Sequence, residues 1–219
     1  MLEAVLFDMD GVIIDSEPIH YQLSKLYYAE LGLNITDEEY YTFVGIGDRE
    51  IFTRLKEKYG LKLKVDEMVD TYQQRYIEHL QELKDEKPIR GVDILIKDIY
   101  KKGFHLALGS SATRRNIEAV LEYFKLREYF DVIVSSCEVE KSKPSPDIYV
   151  QAAKKLGVDP SGCIVIEDSS NGVRAAKTAG MKCIAYKNPN SGEQDISLAD
   201  IIIDSFEGLD FGRLVSLLG

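Results

Sequence analysis

Four short segments carry residues able to do chemistry, and three of them directly follow a run of apolar residues. Val5-Leu6-Phe7 leads into Asp8-Met9-Asp10-Gly11, and Leu106-Ala107-Leu108 leads into Gly109-Ser110-Ser111. Ile164-Val165-Ile166 leads into Glu167-Asp168-Ser169, and Lys141-Ser142-Lys143-Pro144 lies in a loop between them. Residues two apart in extended chain point to the same side, so Asp8 and Asp10 share a face. Two carboxylates held side by side repel each other unless a cation joins them. Glu167 and Asp168 form a second acidic pair of the same kind. If both pairs converge, oxygen ligands of this type call for a hard divalent cation, and Mg²⁺ suits a phosphate substrate. A phosphoryl group in transfer spreads charge over its oxygens, which cations and hydrogen-bond donors stabilise. Ser110 supplies such a donor and Lys143 such a cation. Each segment also has a plainer reading. Asp10-Gly11 suits a turn, Asp168 or Ser169 a helix N-cap, Ser110-Ser111 a helix start, and Lys143 a solvated residue ahead of a helix that opens near Pro146. The chemical reading rests on their combination.

The elements that must position these groups follow from periodicity. Ala4–Phe7, His105–Gly109, Val132–Ser135, Cys163–Glu167, Lys182–Tyr186 and Ile201–Ile203 are short and almost wholly apolar. That is the pattern of parallel strands covered on both faces. Helical patterns separate them, at about Val92–Lys102, Arg114–Tyr123, Pro146–Leu156 and Asn171–Ala179, with Gly103, Gly157 and Gly180 placed to cap helix ends. A further helix is expected over Phe206–Leu218. The alternation predicts an α/β fold with a Rossmann-like, doubly wound parallel sheet, whose ligands bind beyond the carboxyl ends of the strands. One stretch breaks the pattern. Residues 16–88 contain no convincing strand but four helical patterns, Ile19–Leu31, Asp37–Phe43, Arg49–Tyr59 and Asp66–Leu83. Roughly 70 residues is too long for a single crossover. It reads as an inserted helical domain on two linkers, with 1–15 and 89–219 forming the core.

Bulk properties narrow the partners. The 219 residues are 45% hydrophobic, enough for a sizeable core, and carry a formal net charge of −10. Such a field repels nucleic acid and anionic membranes, so neither is expected as a partner. No apolar run approaches the roughly 18 residues of a membrane span. The acidic start at Glu3, Asp8 and Asp10 does not resemble a signal peptide, which points to a cytoplasmic protein. Cys137, Cys163 and Cys183 are far apart and odd in number, against a disulfide frame or zinc site. No obligate protein partner is evident.

In order, Phe7-Asp8-Met9-Asp10-Gly11-Val12, Gly109-Ser110, Lys143-Pro144 and Glu167-Asp168 resemble the four motifs of the haloacid dehalogenase-like hydrolases. Lys143-Pro144-Ser145-Pro146-Asp147-Ile148-Tyr149 and Glu167-Asp168-Ser169-Ser170-Asn171-Gly172 are similar to the subgroup holding β-phosphoglucomutase and small sugar-phosphate phosphatases. The resemblance covers almost the whole chain. It implies that 16–88 is the family's helical cap. It implies that Asp8 is the nucleophile and a Mg²⁺ ligand, and that Asp10 is the general acid/base with its backbone carbonyl on the metal. Ser110 and Lys143 would bind the phosphoryl group, with Ser111 beside the substrate. Asp168 would be a metal ligand, and Glu167 a ligand or water holder. Dehalogenases of the family lack the acid at the position of Asp10, so its presence favours phosphotransfer.

The resemblance leaves the substrate open. Family specificity loops lie in the cap, here around Gly45-Ile46-Gly47-Asp48-Arg49. Gly45, Asp48 and Arg49 are candidate substrate contacts, although Asp48 also reads as a cap for the helix starting near Arg49. The mutase's phosphate-holding arginine aligns with Asp48, with Arg49 one residue on. Tyr72 falls about where the mutase has a lysine, and Ala112-Thr113-Arg114 replaces Ser-Lys-Asn. His20 on the first cap helix does match. The balance favours a Mg²⁺-dependent phosphatase of a small phosphorylated metabolite, a sugar phosphate above all, acting through an aspartyl-phosphate. The alternatives are β-phosphoglucomutase, an isomerase, and a non-enzymatic binding protein on the same fold. The tyrosines, including Tyr27, Tyr28, Tyr40 and Tyr41, read mostly as cap packing.

Overall fold

The computed structural model describes residues 2–44, 46–83 and 85–218. The chain divides into two compact units, one of Met1–Asp15 with Glu86–Gly219 and one of Ser16–Asp85.

The first unit is built on six parallel strands: β1 (Ala4–Phe7), β2 (His105–Ser110), β3 (Val132–Ser135), β4 (Cys163–Glu167), β5 (Lys182–Tyr186) and β6 (Ile201–Ile203), in the order β3-β2-β1-β4-β5-β6. All four β1 side chains are fully buried, as expected of a central strand covered on both faces. Its register pairs Ala4 with His105 on one side and with Cys163 on the other. Strand order reverses at β1. The chain steps from β1 to β2 to β3 in one direction and then returns to lay β4 on the opposite flank. In open α/β sheets such a reversal opens a crevice at the carboxyl ends of the flanking strands.

The second unit is helical: α1 (Glu17–Glu30), α2 (Asp37–Tyr41), α3 (Asp48–Tyr59) and α4 (Val65–Glu82). It is the cap inserted between β1 and the rest of the core. Its interior is aromatic. Phe52 meets Tyr27 and Tyr72 edge-on, each at 5.7 Å between centroids, and Leu55, Met68, Tyr76 and Leu80 are buried with them. Edge-to-face pairs of this kind contribute about 0.5–1.5 kcal/mol beyond area burial. Tyr27, Tyr28 and Tyr40 pack there as the sequence suggests, but Tyr41 does not and is 62% exposed. Tyr40, its neighbour on the short α2, takes the inward position and donates to Glu17 at 2.8 Å. Asp48 is not a helix cap. Gly47 occupies that position in extended conformation and Asp48 opens the helix, accepting from Gln73 at 3.2 Å.

Five helices complete the core: α5 (Val92–Lys101), α6 (Arg114–Tyr123), α7 (Asp147–Leu156), α8 (Ser170–Thr178) and α9 (Phe211–Leu217). Their starts follow local side-chain chemistry. The Thr113 hydroxyl accepts from the Asn116 amide, and the Ser169 hydroxyl from that of Gly172. Gly157 ends α7 at φ 75°, where its amide reaches back to Ala153 and Lys154. The last helix is shorter than its apolar pattern. Gly208 at φ 68° turns the chain, and Asp210 caps the Arg213 amide at 2.8 Å, so the buried Phe206 precedes the helix. Among the described residues no helix is long and apolar enough to cross a membrane. Cys137 is exposed, Cys163 and Cys183 are buried, and all three are free thiols.

Candidate active site

The site begins where β1 ends. Asp8 still belongs to the sheet, its amide donating to the Ile166 carbonyl of β4 at 2.9 Å. The chain then turns. Ile13 donates back to Met9 at 2.8 Å and Gly11 to Ile14 at 2.8 Å. Gly11 sits at φ 78°, and a Cβ there would lie 2.0 Å from Oδ2 of Asp168. Only glycine meets both demands, so the turn lets the Asp168 carboxylate press against the backbone that follows Asp8 and Asp10.

Lys143 reaches in from the loop after β3 and joins two acids. Its Nζ donates to Asp8 Oδ1 and to Glu167 Oε1, each at 2.7 Å, with the lysine side chain 5% exposed. Glu167 is saturated. Oε1 also accepts from the Tyr149 hydroxyl at 2.9 Å, and Oε2 accepts from the Asp168 amide at 2.9 Å and the Ser169 amide and hydroxyl at 3.0 Å. It lies so close to α8 that a Cβ on Gly172 would fall 1.6 Å from Oε1. Asp168 is buried, with Oδ2 accepting from the Ser191 hydroxyl. One oxygen from each of Asp8, Glu167 and Asp168 lies within 4.8 Å of the others.

Charge in this cluster does not balance. Three buried carboxylates face one ammonium. Burial pushes the Asp8 carboxyl up to about 7, with the charges of Glu167 and Asp10 adding and Lys143 opposing. Burial also holds Asp168 well above the usual carboxylate range, reinforced by Glu167 and Asp8. Burial works against the Lys143 charge too, but Asp8 and Glu167 outweigh it and hold the ammonium protonated. Glu167 is the one acid driven down: its burial is overcome by the Lys143 charge and the donors around it. Asp8 and Asp168 thus resist ionising together until a further cation arrives. An all-oxygen donor set in a buried cluster fits a hard metal ion. The 4.8 Å trio is permissive about which acids would hold it, but hydrogen bonding discriminates. Glu167 already accepts five donors, whereas the Asp8 and Asp168 carboxylates each accept one among the described residues.

The remaining candidates fall into two groups. In the core, Asp10 is half-buried beside the cluster but outside the 4.8 Å trio, and its carboxylate accepts no hydrogen bond among the described residues. Ser110 ends β2 two residues past Leu108, the partner of Phe7, and is fully buried with its Oγ accepting from the Ala112 amide at 3.0 Å. Ser111 is exposed, and its carbonyl accepts from Ser136 at 2.6 Å. In the cap, His20 shares a hydrogen bond with the Tyr72 hydroxyl at 2.9 Å and stacks on Tyr76 at 4.8 Å. Arg49 is exposed and paired with Asp66. Gly45 lies outside the described residues.

Sequence reasoning missed Tyr149, Asn188, Ser191 and Gln194. Tyr149 ends the motif that starts at Lys143, but nothing in its type signals a hydroxyl aimed at Glu167. The other three lie in the polar loop after β5, and the rule that sites form beyond strand ends could have flagged them.

A parallel sheet with acids and a lysine gathered at its reversal, and a helical insert after the first strand, defines a hydrolase core of the capped α/β class. The profile of the haloacid dehalogenase-like hydrolases matches residues 5–186. The chain belongs to that family. A bifunctional riboflavin kinase/FMN phosphatase of Arabidopsis thaliana is 36% identical over 92% of this chain, which spans about half (52%) of that protein. A phosphorylated carbohydrates phosphatase of Thermotoga maritima is 33% identical over 84% of each chain. Among solved structures, CbbY of Rhodobacter sphaeroides in complex with phosphate matches with a TM-score of 0.89 at 31% identity, covering 98% of this chain and 100% of that one. A mutant of the same protein holds xylulose-(1,5)bisphosphate and matches with a TM-score of 0.87 at 30% identity, over 98% and 99%.

Proposed function

We propose that the protein is a Mg²⁺-dependent phosphomonoesterase that removes phosphate from a small phosphorylated sugar through a phospho-aspartate on Asp8. The observation that carries this is the Lys143 ammonium shared between Asp8 and Glu167 beside a second under-neutralised acid, Asp168. A carboxylate nucleophile divides one difficult hydrolysis into two displacements. Asp8 forms a bond to phosphorus as the ester oxygen departs, and Asp10 gives that oxygen a proton. Water then attacks the same phosphorus and loses a proton to Asp10. The bond to Asp8 breaks, inorganic phosphate leaves, and both aspartates return to their starting state. Lys143 lowers the repulsion between anionic nucleophile and anionic substrate, and Ser110 donates to a phosphoryl oxygen. Asp8, Asp168 and the Asp10 carbonyl would hold Mg²⁺, which when bound would neutralise charge on the transferring group. Glu167, with its lone pairs engaged, acts by fixing Lys143 rather than as a ligand.

The sugar-phosphate reading draws on the carbohydrate phosphatase of Thermotoga maritima and on the sugar bisphosphate held by CbbY. Hydrolysis is favoured over isomerisation by the residues in the mutase's positions. Tyr72 is buried in cap packing, and Arg114 is committed to Glu138 and the Ile133 carbonyl. A screen of phosphorylated sugars with Mg²⁺, scoring inorganic phosphate, tests the proposal. Steady release is expected, abolished by chelator and by Asp8→Asn. Conversion of β-glucose 1-phosphate to glucose 6-phosphate outpacing release would establish the mutase instead.

A further inference from the structure

The loop from Asn188 to Gln194, between β5 and β6, carries none of the family's four motifs, yet it is bound to both acid-bearing turns. Asn188 is 6% exposed, and its Nδ2 donates to the Gly11 carbonyl at 3.0 Å and to Asp15 at 3.5 Å. Its own Oδ1 accepts from the Asn190 amide at 2.8 Å, and Asn190 Nδ2 reaches the other Asp15 oxygen at 2.5 Å. Ser191 donates to Asp168 Oδ2. Gln194 closes the loop on itself by donating to the Ser191 carbonyl at 3.0 Å, while its Oε1 accepts from the Ser170 amide at 3.0 Å, in the first turn of α8.

These bonds do what a packed apolar loop could not. A carboxylate on a free rotor presents either oxygen to a cation and pays for the choice in entropy. With Oδ2 held by Ser191 and the Gly11 backbone pressed against it, Oδ1 of Asp168 is left without a hydrogen bond among the described residues. Asn188 fixes the peptide after Gly11 and thereby the turn linking Asp8, Asp10 and Gly11. We propose that this loop is a strap belonging to the metal site, in which Ser191 and Asn188 are positioning residues that preset Asp168 and the Asp8–Gly11 turn for a divalent cation. The proposal rests on the reading of Asp8 and Asp168 as metal ligands. Outer partners of this kind typically change metal affinity by about 10–100-fold when removed.

The test is Mg²⁺ binding by calorimetry, repeated with Mn²⁺ by electron paramagnetic resonance, on the full chain. The variants are Ser191→Ala, Ser191→Thr, Asn188→Asp and Asp168→Asn, with Ser197→Ala, whose hydroxyl donates to Asp195, as a control in the same connection. Ser191→Ala and Asn188→Asp are expected to weaken binding by about 10-fold or more, while Ser191→Thr, which keeps the hydroxyl, and Ser197→Ala stay within about 3-fold of the parent. The Ser191→Ala rate is expected to recover as Mg²⁺ is raised, a rescue that loss of folding would not show. Unfolding in chelator is followed alongside. Parent-like affinity in both Ser191→Ala and Asn188→Asp overturns the strap, as does lowered stability in chelator with affinity unchanged. If the parent itself takes up no Mg²⁺, or Asp168→Asn binds as the parent does, the ligand reading falls and the strap with it.

Discussion

Replacing Gly172 by alanine sets two effects of opposite sign against each other, and the structure decides between them. Gly172 lies in the first turn of α8, where alanine gains up to about 1 kcal/mol of helix propensity. Its new Cβ, however, would stand 1.6 Å from Oε1 of Glu167, 1.9 Å from Cδ and 2.4 Å from Oε2. The carboxylate must retreat by roughly 2 Å to reach van der Waals contact, more than a hydrogen bond tolerates. Five donors converge on that carboxylate, including Lys143 and Tyr149. Bonds to a charged acceptor contribute about 1.5–3 kcal/mol each, so losing two costs about 3–6 kcal/mol. The net expectation is a destabilisation of about 2–5 kcal/mol, read from urea midpoints. Phosphate release should fall by about 100-fold or more, because Lys143 loses one of its two anchors. The decisive measurement is the same substitution in a Glu167→Ala background. With the carboxylate gone, Gly172→Ala should turn neutral or stabilising by up to about 1 kcal/mol. Equal destabilisation in both backgrounds would refute the steric argument, as would a parent-like single variant.

Three further outcomes follow from the same geometry. Tyr149→Phe keeps the ring packed against Gly109 and removes only the donor to Glu167, so it should cost about 2 kcal/mol in chemical denaturation with little change in the spectrum of the folded state. Gly11→Ala meets both a φ of 78° and the Asp168 carboxylate at 2.0 Å, and titration should show Mg²⁺ affinity weakened by about 10-fold or more. The third concerns pH. Asp8 is raised from 3.8 to about 7 in the metal-free protein, so its folded form holds a proton that the unfolded chain has released. That contribution to stability is complete below about pH 4 and disappears as pH rises through about 7. Mg²⁺ competes with the same proton and binds more tightly as pH increases across that interval. The gap between melting temperatures with Mg²⁺ and with chelator should therefore widen from pH 5 to pH 8, and a constant gap would contradict the assignment.

Much of this architecture could be read from residue types. The inner strands are short apolar runs because both sheet faces are covered there, whereas the edge strand β6 leaves Ile202 50% exposed; β1, β3, β4, β5 and β6 all fall where the apolar runs fall. Helix ends proved less legible, because capping is a contest between neighbours. Gly47 took the position that Asp48 suited, and Asp210 started α9 later than the apolar pattern around Phe206 suggested. The cluster of Asp8, Lys143, Glu167 and Asp168 was anticipated because four motifs resembling those of one family fall in order along the chain, although each alone also suits a turn, a helix cap or a solvated lysine. The division of labour among them was not. That Glu167 is saturated depends on Tyr149 and on the closeness of α8, facts of packing with no trace in spacing. The strap was partly legible, since its place after β5 marks it as a loop at the site end of the sheet, but its bonds to Gly11 and Asp168 come from packing.

The position of β1 has a bearing on how the enzyme comes into being. The strand that leads into Asp8 pairs with strands whose first residues are His105 and Cys163, and in the chain order residues 16–85 separate it from both. Such remote pairings close large loops before they yield any contact energy, which slows folding. The N-terminal segment must therefore wait, unpaired, while the later strands are made. On the proposed mechanism no early intermediate holds Asp8 ready for attack, because Lys143 and Asp168 arrive with the partners that complete the sheet. Activity is consequently an all-or-nothing report on assembly of the core, and a chain that has fashioned only its helical insert is chemically silent.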